Sequence, residues 1–234
     1  VDKAGNVSDT KTIYLDSAAP TGTIKNSSGT AISGYTGGAF SYTATDTGSG
    51  VSYLQYKTPG SSSWTTYSSG TTISASATNG LYQFRAVDNA GNTSAVSSIY
   101  LDTAIPTGKI TDSNGTTVTT TTNKAFKYTA SDGLSGIAYM QYKKPNSTVW
   151  ETYAAGTLIQ TTDTNGIYRF RAFDNAGNES ETVMICLDTV KPTGTLYGGT
   201  STVASGGKTN ANYVKFVPSD SMSGIKSIYV QTPS

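Results

Sequence analysis

The stretch GLYQFRAVDNAGN at positions 80–92 decides the fold, and it returns as GIYRFRAFDNAGN at positions 166–178. In its first half Tyr82, Phe84 and Ala86 are apolar, and the residues between them are polar. A hydrophobic period of two is typical of a β-strand with one face on a core and the other in water. The second half is rich in the Asn, Asp and Gly of tight turns. The stretch therefore predicts a strand that ends in a turn.

The same stretch belongs to a repeat of 86 residues. A shortened form, VDKAGN, occupies positions 1–6, and a junction motif of Leu-Asp followed by Pro-Thr-Gly occurs three times. Its aspartates, Asp16, Asp102 and Asp188, are 86 positions apart. Self-similarity at a fixed period predicts a tandem array of one structural unit.

The repeat also sets the expected domain boundaries. Residues 1–16 are predicted to be the C-terminal strand of a preceding repeat, residues 17–102 and 103–188 two complete domains, and residues 189–234 the N-terminal part of a further repeat. About seven short strands in such a unit favour an immunoglobulin-like, or fibronectin III-like, β-sandwich. The predicted fold class is therefore all-β, with tandem sandwich domains in an elongated array.

Alternation and turn residues place the strands of the first complete repeat at 21–25, 39–46, 52–58, 64–68, 71–76, 80–88 and 94–101. The segment Asn79-Gly80-Leu81-Tyr82 fits a tyrosine corner, in which the hydroxyl of the tyrosine reaches back to the backbone upstream. Trp64 and its counterpart Trp150 are predicted to cap the core, with stacking on a sugar as the alternative.

The composition argues against several functional classes. Charged residues make up 13% of the chain, 16 cationic against 15 anionic, which predicts no nucleic-acid partner. There is no histidine, and no glutamate recurs between repeats, so no catalytic base can be assigned. No apolar run reaches the length of a membrane-spanning helix, so no direct membrane insertion is expected. We predict that the segment is not an enzyme and that the single cysteine, Cys186, packs in a strand.

The recurring aspartates are the candidate binding residues. In a sandwich of the predicted topology the linker, the loop between the second and third strands and the loop between the sixth and seventh strands share one pole. The expected sets are Asp16, Asp46 and Asp88, then Asp102, Asp132 and Asp174, and finally Asp188 and Asp220.

Such a set has two interpretations. Carboxylates with backbone and asparagine carbonyls form an oxygen cage suited to Ca²⁺, the one cofactor expected here. Alternatively each aspartate only stabilises a turn by accepting backbone hydrogen bonds, with Gly91 at a positive φ.

The chain resembles the bacterial immunoglobulin-like repeats of cell-surface and adhesin-type proteins. The resemblance rests on Tyr-x-Phe-Arg-Ala-x-Asp-Asn-Ala-Gly-Asn, on the Asp-x-x-x-Pro-Thr junction and on Asp-x-x-Ser-Gly-Ile/Val, and it extends over essentially the whole chain. It implies a secreted protein at the bacterial cell wall or surface, and calcium ions that stiffen the domain junctions.

The leading interpretation is a non-catalytic structural or adhesive region that acts as a stalk, spacer or surface-fibre segment. Its partners are the neighbouring repeats, and a host or cell-surface protein, a glycan or other copies of the chain remain open. The alternative is a carbohydrate-binding accessory module of a secreted polysaccharide-active enzyme, for which Tyr53, Tyr139 and Tyr35 are outward-facing candidates. A lysine–asparagine cross-link is disfavoured, because Lys25 and Lys109 do not occupy equivalent positions.

Overall fold

The computed structural model describes residues 1–231, and all of their regular secondary structure is β-strand. The chain divides into two compact units. Unit 1 contains Val1–Ala104 with Gly133–Ser135 and Asn175–Asn178, and unit 2 contains Ile105–Asp132, Gly136–Asp174 and the chain from Glu179 onward. The described residues contain no helix that is long and apolar enough to cross a membrane.

The strands of unit 1 form a sandwich. They are β1 (Thr21–Asn26), β2 (Gly34–Thr36), β3 (Phe40–Thr45), β4 (Val51–Lys57), β5 (Thr65–Tyr67), β6 (Gly80–Asp88) and β7 (Ser97–Leu101). One sheet is the antiparallel pair β1–β3, to which a single bridge adds Ile73. The other has the order β2-β7-β6-β4-β5, with β2 and β7 parallel. The predicted all-β, fibronectin III-like sandwich is confirmed.

Unit 2 repeats this topology. Its sandwich strands are β8 (Thr107–Asp112), β9 (Thr121–Thr122), β10 (Phe126–Ser131), β11 (Ile137–Lys143), β12 (Glu151–Tyr153), β13 (Gly166–Asp174) and β14 (Val183–Leu187). A three-stranded sheet follows, made of β15 (Thr193–Gly198), β16 (Ser201–Val203) and β17 (Val214–Ser219). No second sheet covers it within the described residues, and Phe216, the counterpart of buried Tyr128, is 47% exposed.

Three strand predictions differ from the structure. The expected strand at 71–76 is only the bridge at Ile73, because polar Thr72 and Ser74 flank Ile73 and leave it as the one residue of that segment that packs against the core. The short strand β2 was not predicted, because its pairing with β7 is non-local and leaves no alternation in the sequence. Residues 1–16 form no strand, because the described residues contain no other strand of a preceding repeat with which they could pair.

An aromatic layer between the two sheets forms the core of unit 1. Tyr42 of β3 stacks on Phe84 of β6 with ring centroids 5.0 Å apart, and Phe40 meets Tyr82 edge-on at 5.4 Å. Each such pair adds about 0.5–1.5 kcal/mol beyond the burial of its area. All four rings are buried, which confirms the two-residue rhythm predicted for β3 and β6.

Tyr67 joins the two sheets by hydrogen bonds as well. The backbone N–H of Tyr42 donates to Tyr67 Oη at 2.9 Å, and the Tyr67 hydroxyl donates to the carbonyl of Thr71. In unit 2, Tyr128 N donates to Tyr153 Oη at 3.0 Å. Burial raises the pKa of Tyr67, so this hydroxyl remains a donor at neutral pH.

The predicted tyrosine corners are confirmed. Tyr82 Oη donates to the carbonyl of Thr78 at 3.0 Å, and Tyr168 Oη donates to the carbonyl of Thr164 at 2.9 Å. These hydrogen bonds tie the start of β6 and of β13 to the turn that precedes each strand.

The prediction that Trp64 caps the core was wrong. Its ring is contacted by Lys57 and by Arg85, and Arg85 alternates with the buried residues of β6. Trp64 therefore lies on the outer face of the five-stranded sheet, and Trp150 lies on the corresponding face of unit 2 beside Arg171.

The structural need for glycine in the Pro-Thr-Gly motif can be tested at Gly22, which lies on β1 opposite Ala44. A Cβ at this position would overlap the ring and hydroxyl of Tyr42. We expect Gly22→Ala to lower the free energy of unfolding of unit 1 by about 1–3 kcal/mol, the usual cost of overpacking. Urea denaturation measures this. Gly38→Ala is the control, because its Cβ would meet only Thr36 Oγ1, at 3.9 Å; equal effects of the two substitutions would contradict the packing argument.

Candidate metal site

Asp16, Asp46 and Asp88 meet in unit 1. One carboxylate oxygen from each lies within 4.8 Å of the others. Asp88 is buried, at 2% exposure, whereas Asp16 and Asp46 are half-buried. The structure thus brings together the first set of aspartates that the repeat pattern singled out.

The two loops that carry Asp46 and Asp88 are fastened to each other. Asp46 follows β3 and Asp88 is the last residue of β6, so both lie where a strand of the sandwich ends. Asn89 then donates from its backbone N–H to the carbonyl of Gly50 at 3.0 Å and from Nδ2 to the carbonyl of Ser49 at 2.8 Å. The predicted shared pole of these loops is confirmed by these contacts.

Each aspartate also stabilises its own turn. Asp46 Oδ1 accepts hydrogen bonds from the N–H groups of Gly48 and Gly50 at 3.1 and 2.8 Å. Asp88 Oδ1 likewise accepts from the N–H groups of the residues two and four positions later, at 3.0 and 2.7 Å. Gly91 has the expected positive φ, +95°. The turn interpretation therefore holds, yet Asp46 Oδ2 accepts no hydrogen bond from the described residues and remains available to a ligand.

Asn92 connects the linker to this cluster. Its Nδ2 donates to Asp88 Oδ2 at 2.8 Å and to the carbonyls of Asp16 and Ala18 at 3.1 and 3.2 Å. The sequence suggested that asparagines would offer carbonyls, whereas Asn92 uses its amide N–H₂. The sequence signal for this role was the asparagine four residues after the aspartate, which recurs as Asn6, Asn92 and Asn178.

Asp16 is held to the loop after β3 by Ser49, whose N–H donates to Asp16 Oδ2 at 2.5 Å. The Ser49 hydroxyl and the backbone N–H groups of Ser49 and Ala18 lower the pKa of Asp16. None of the three carboxylates has a lysine or arginine ion-pair partner among the described residues. The cluster therefore concentrates negative charge that the protein does not neutralise.

The counterparts of these aspartates have similar local contacts. In unit 1, Asp102 is buried and its Oδ2 accepts from Ser135 N at 2.9 Å, as Asp16 does from Ser49. In unit 2, Asp132 Oδ1 accepts from Gly136 N at 2.9 Å, and Asp174 is buried at the end of β13.

The third set contains two aspartates, both in unit 2. Ser223 N donates to Asp188 Oδ2 at 3.0 Å, and Ser223 Oγ donates to Asp220 Oδ1 at 3.3 Å. Backbone N–H groups, led by that of Gly224, lower the pKa of Asp220. This set repeats the attachment of the linker aspartate to the turn, with one carboxylate fewer than the first.

The three tyrosines proposed as sugar contacts face outward as predicted. Tyr53 is 47% exposed and Tyr139 48%, while Tyr35 is 37% exposed. Tyr139 stacks on Phe173 at 4.7 Å and Tyr35 stacks on Tyr100 at 5.3 Å, so their rings are partly occupied by neighbours.

Comparison with known proteins adds little beyond the fold. No protein-family model and no curated protein matches the chain. Among solved structures, it is similar to the fibronectin(III)-like modules of CbhA from Clostridium thermocellum, over 70% of this chain and 92% of that one, with 18% identity and a TM-score of 0.35. A similarity of this size carries no argument about function.

The lowered pKa of Asp16 predicts a pH dependence. Its hydrogen bonds stabilise unit 1 fully above the ordinary aspartate pKa of 3.8, and their contribution is lost as the pH falls through the lowered folded-state value. Asparagine does not titrate in the acidic range. Below about pH 4, Asp16→Asn should therefore make the slope of the unfolding free energy against pH shallower, by at most the slope that corresponds to the uptake of one proton.

Urea denaturation at a series of acidic pH values measures that slope. Asp9→Asn is the control, since Asp9 is exposed and lies outside the cluster. An Asp16→Asn slope as steep as that of the parent chain would contradict the assignment of these hydrogen bonds to the folded state.

Proposed function

We propose that the chain is a non-catalytic, extracellular repeat segment of a bacterial surface protein, which acts as a stalk, spacer or surface-fibre segment stiffened by Ca²⁺. The observation that carries this proposal is the meeting of Asp16, Asp46 and Asp88. Asp16 precedes the first strand of the sandwich, whereas Asp46 and Asp88 belong to its loops. A cation held by all three would fasten the incoming linker to the sandwich.

The chemistry of the cluster favours a hard cation. Three carboxylates without a basic partner repel one another, and a divalent ion would offset that repulsion. Ca²⁺ takes six to eight oxygen ligands and tolerates irregular geometry, which suits a site built from loop residues. The free Oδ2 of Asp46 offers one such oxygen.

The spacer role follows from the short connection between the repeats. Five residues separate the end of β7 at Leu101 from the start of β8 at Thr107, and Pro106 fixes part of their backbone. A short connection that contains a proline has few backbone conformations available to it. Neighbouring repeats of the same chain are the partners that this function requires.

Calcium should stabilise unit 1. A ligand that binds only the folded state at 100 times its Kd adds about 2.7 kcal/mol, and each kcal/mol raises Tm by about 4–8 °C in a domain of this size. We expect millimolar CaCl₂ to raise Tm by several degrees relative to EDTA, and Asp46→Asn to abolish the rise. Differential scanning calorimetry measures both.

Asp46→Asn separates the two interpretations of the aspartates. Asparagine keeps an acceptor for the N–H groups of Gly48 and Gly50, so the turn survives while a charged calcium ligand is lost. Asp9→Asn, outside the cluster, should leave the calcium effect unchanged. If the parent chain melts at the same temperature in calcium and in EDTA, the calcium part of the proposal is wrong.

A carbohydrate-binding accessory module is the second candidate function. It is favoured by the exposure of Tyr53 and Tyr139 at equivalent positions on the outer faces of the two five-stranded sheets. An exposed aromatic ring is a surface on which a sugar ring can stack.

If this second function holds, the chain should bind an array of plant and bacterial glycans, and the double substitution Tyr53→Ala and Tyr139→Ala should weaken binding by at least about tenfold, equivalent to about 1.4 kcal/mol. Tyr14→Ala is the control, because Tyr14 is exposed and lies outside both sandwiches. Retention of all glycan binding by the double variant would remove these tyrosines from the site.

A further inference from the structure

A cationic surface surrounds Trp64 on the outer face of the five-stranded sheet of unit 1. The register of β4 and β6 pairs Gln55 with Arg85 and Lys57 with Gln83, and these side chains alternate with the buried ones. Lys57 Nζ lies 4.8 Å and Arg85 Cζ 4.4 Å from the centre of the Trp64 ring. These five residues are called the Trp64 face below.

The two cations of the Trp64 face, Lys57 and Arg85, have no acidic partner in the described part of the chain. Between residues 17 and 102 the acidic residues are Asp46, Asp88 and Asp102, and all three belong to the loop and linker contacts described above. Arg85 donates from Nε to Gln55 Oε1 at 2.8 Å, and its two terminal nitrogens have no partner among residues 1–231. Lys57 forms no hydrogen bond or ion pair with these residues. The face therefore presents two positive charges to solvent.

In unit 2, the arginine at the position equivalent to Arg85 forms an ion pair with a glutamate. Arg171, the counterpart of Arg85, also lies over a tryptophan, but its Nη1 pairs with Glu179 at 2.7 Å. The residue equivalent to Glu179 in unit 1 is Thr93, since the bridge Phe173–Glu179 matches the bridge Val87–Thr93. The carboxylate that neutralises the arginine in unit 2 is thus missing from unit 1, and an external carboxylate can take its place.

We propose that the Trp64 face binds an acidic polysaccharide whose sugar units carry carboxylates, that is, a polyuronate. A uronate carboxylate fits the free edge of the Arg85 guanidinium by paired N–H···O hydrogen bonds, and Lys57 supplies a second charge. The amides of Gln55 and Gln83 can donate to and accept from sugar hydroxyls. Tyr53, exposed on the same face of β4, offers a ring to a sugar.

A polynucleotide fits these observations less well. Its closely spaced phosphates require clustered lysines and arginines, whereas this face has two cations separated by amides, and the whole chain has a net charge of +1. The proposal rests on the carbohydrate-binding candidate function and narrows it to acidic polymers, and it does not depend on calcium.

Tryptophan fluorescence can test whether the Trp64 face binds a polyuronate in the 234-residue chain. The chain has two tryptophans, so Trp150→Phe leaves Trp64 as the sole reporter in unit 1. Titration with oligogalacturonate in EDTA, which excludes effects of calcium on protein or sugar, should give a saturable change in Trp64 fluorescence. The binding should weaken with added salt, because exposed charges are screened.

Two further substitutions, each made in the Trp150→Phe variant, test whether Arg85 binds the carboxylate of the sugar. Thr93→Glu introduces the acid that unit 2 carries naturally, so it should fold and should weaken binding by about tenfold or more as the new carboxylate pairs with Arg85. Arg85→Gln should weaken binding similarly. Lys25→Gln is the control of equal charge change, because Lys25 lies on β1 in the other sheet. Thermal melts of each variant check that unit 1 remains folded.

Four results would overturn the proposal. Equal affinity for fully methyl-esterified oligogalacturonate, which lacks the charge, would show that the carboxylate is not recognised, although carbohydrate binding itself would stand. Unchanged affinity in Thr93→Glu would remove Arg85 from the site. Tighter binding of a single-stranded oligonucleotide would reassign the face to nucleic acid. Absence of any saturable response to the parent sugar would also refute the proposal.

Discussion

The aromatic layer between the two sheets is the constraint on which the rest of each unit depends. Apolar residues make up only 35% of the chain, so few side chains are available to fill a core. Large rings compensate because each buries more area than an aliphatic side chain. Tyr67 then fixes the spacing of the sheets, since its hydroxyl accepts from the backbone of Tyr42 across the core. A core this thin tolerates little change in volume.

The two candidate binding sites, the aspartate cluster and the Trp64 face, depend on how this aromatic core positions the strands. Because β3 and β6 lie on opposite sides of the aromatic layer, Asp46, which follows β3, and Asp88, the last residue of β6, meet at one pole. The same alternation that turns Phe84 inward turns Arg85 outward beside Trp64. The strand β6 thus contributes Phe84 to the core, Asp88 to the acidic cluster and Arg85 to the cationic face.

In the aspartate cluster, the oxygen atoms that stabilise the turns differ from the oxygen proposed to bind an ion. The Oδ1 atoms of Asp46 and Asp88 hold their turns, which fixes the carboxylates in place. The other oxygen of Asp46, Oδ2, accepts no hydrogen bond from the described residues, and Asn92 ties the linker to the neighbouring Asp88. A turn and an ion site are therefore compatible interpretations of these residues, since they use different oxygen atoms.

By itself, the sequence determined which residues of β3 and β6 face inward, where the tyrosine corners lie and that Asp16, Asp46 and Asp88 share a pole. These features follow from a two-residue period and from turn chemistry, which are local properties of the chain. Only the tertiary structure decided that β2 pairs with β7, that Trp64 lies outside the core and that Arg171 has an acidic partner while Arg85 has none among residues 1–231. The pairing of β2 with β7 and the contact of Arg85 with Trp64 join residues far apart in sequence, and the ion pair of Arg171 joins residues eight positions apart across a turn. None of these contacts leaves a periodic trace in the sequence.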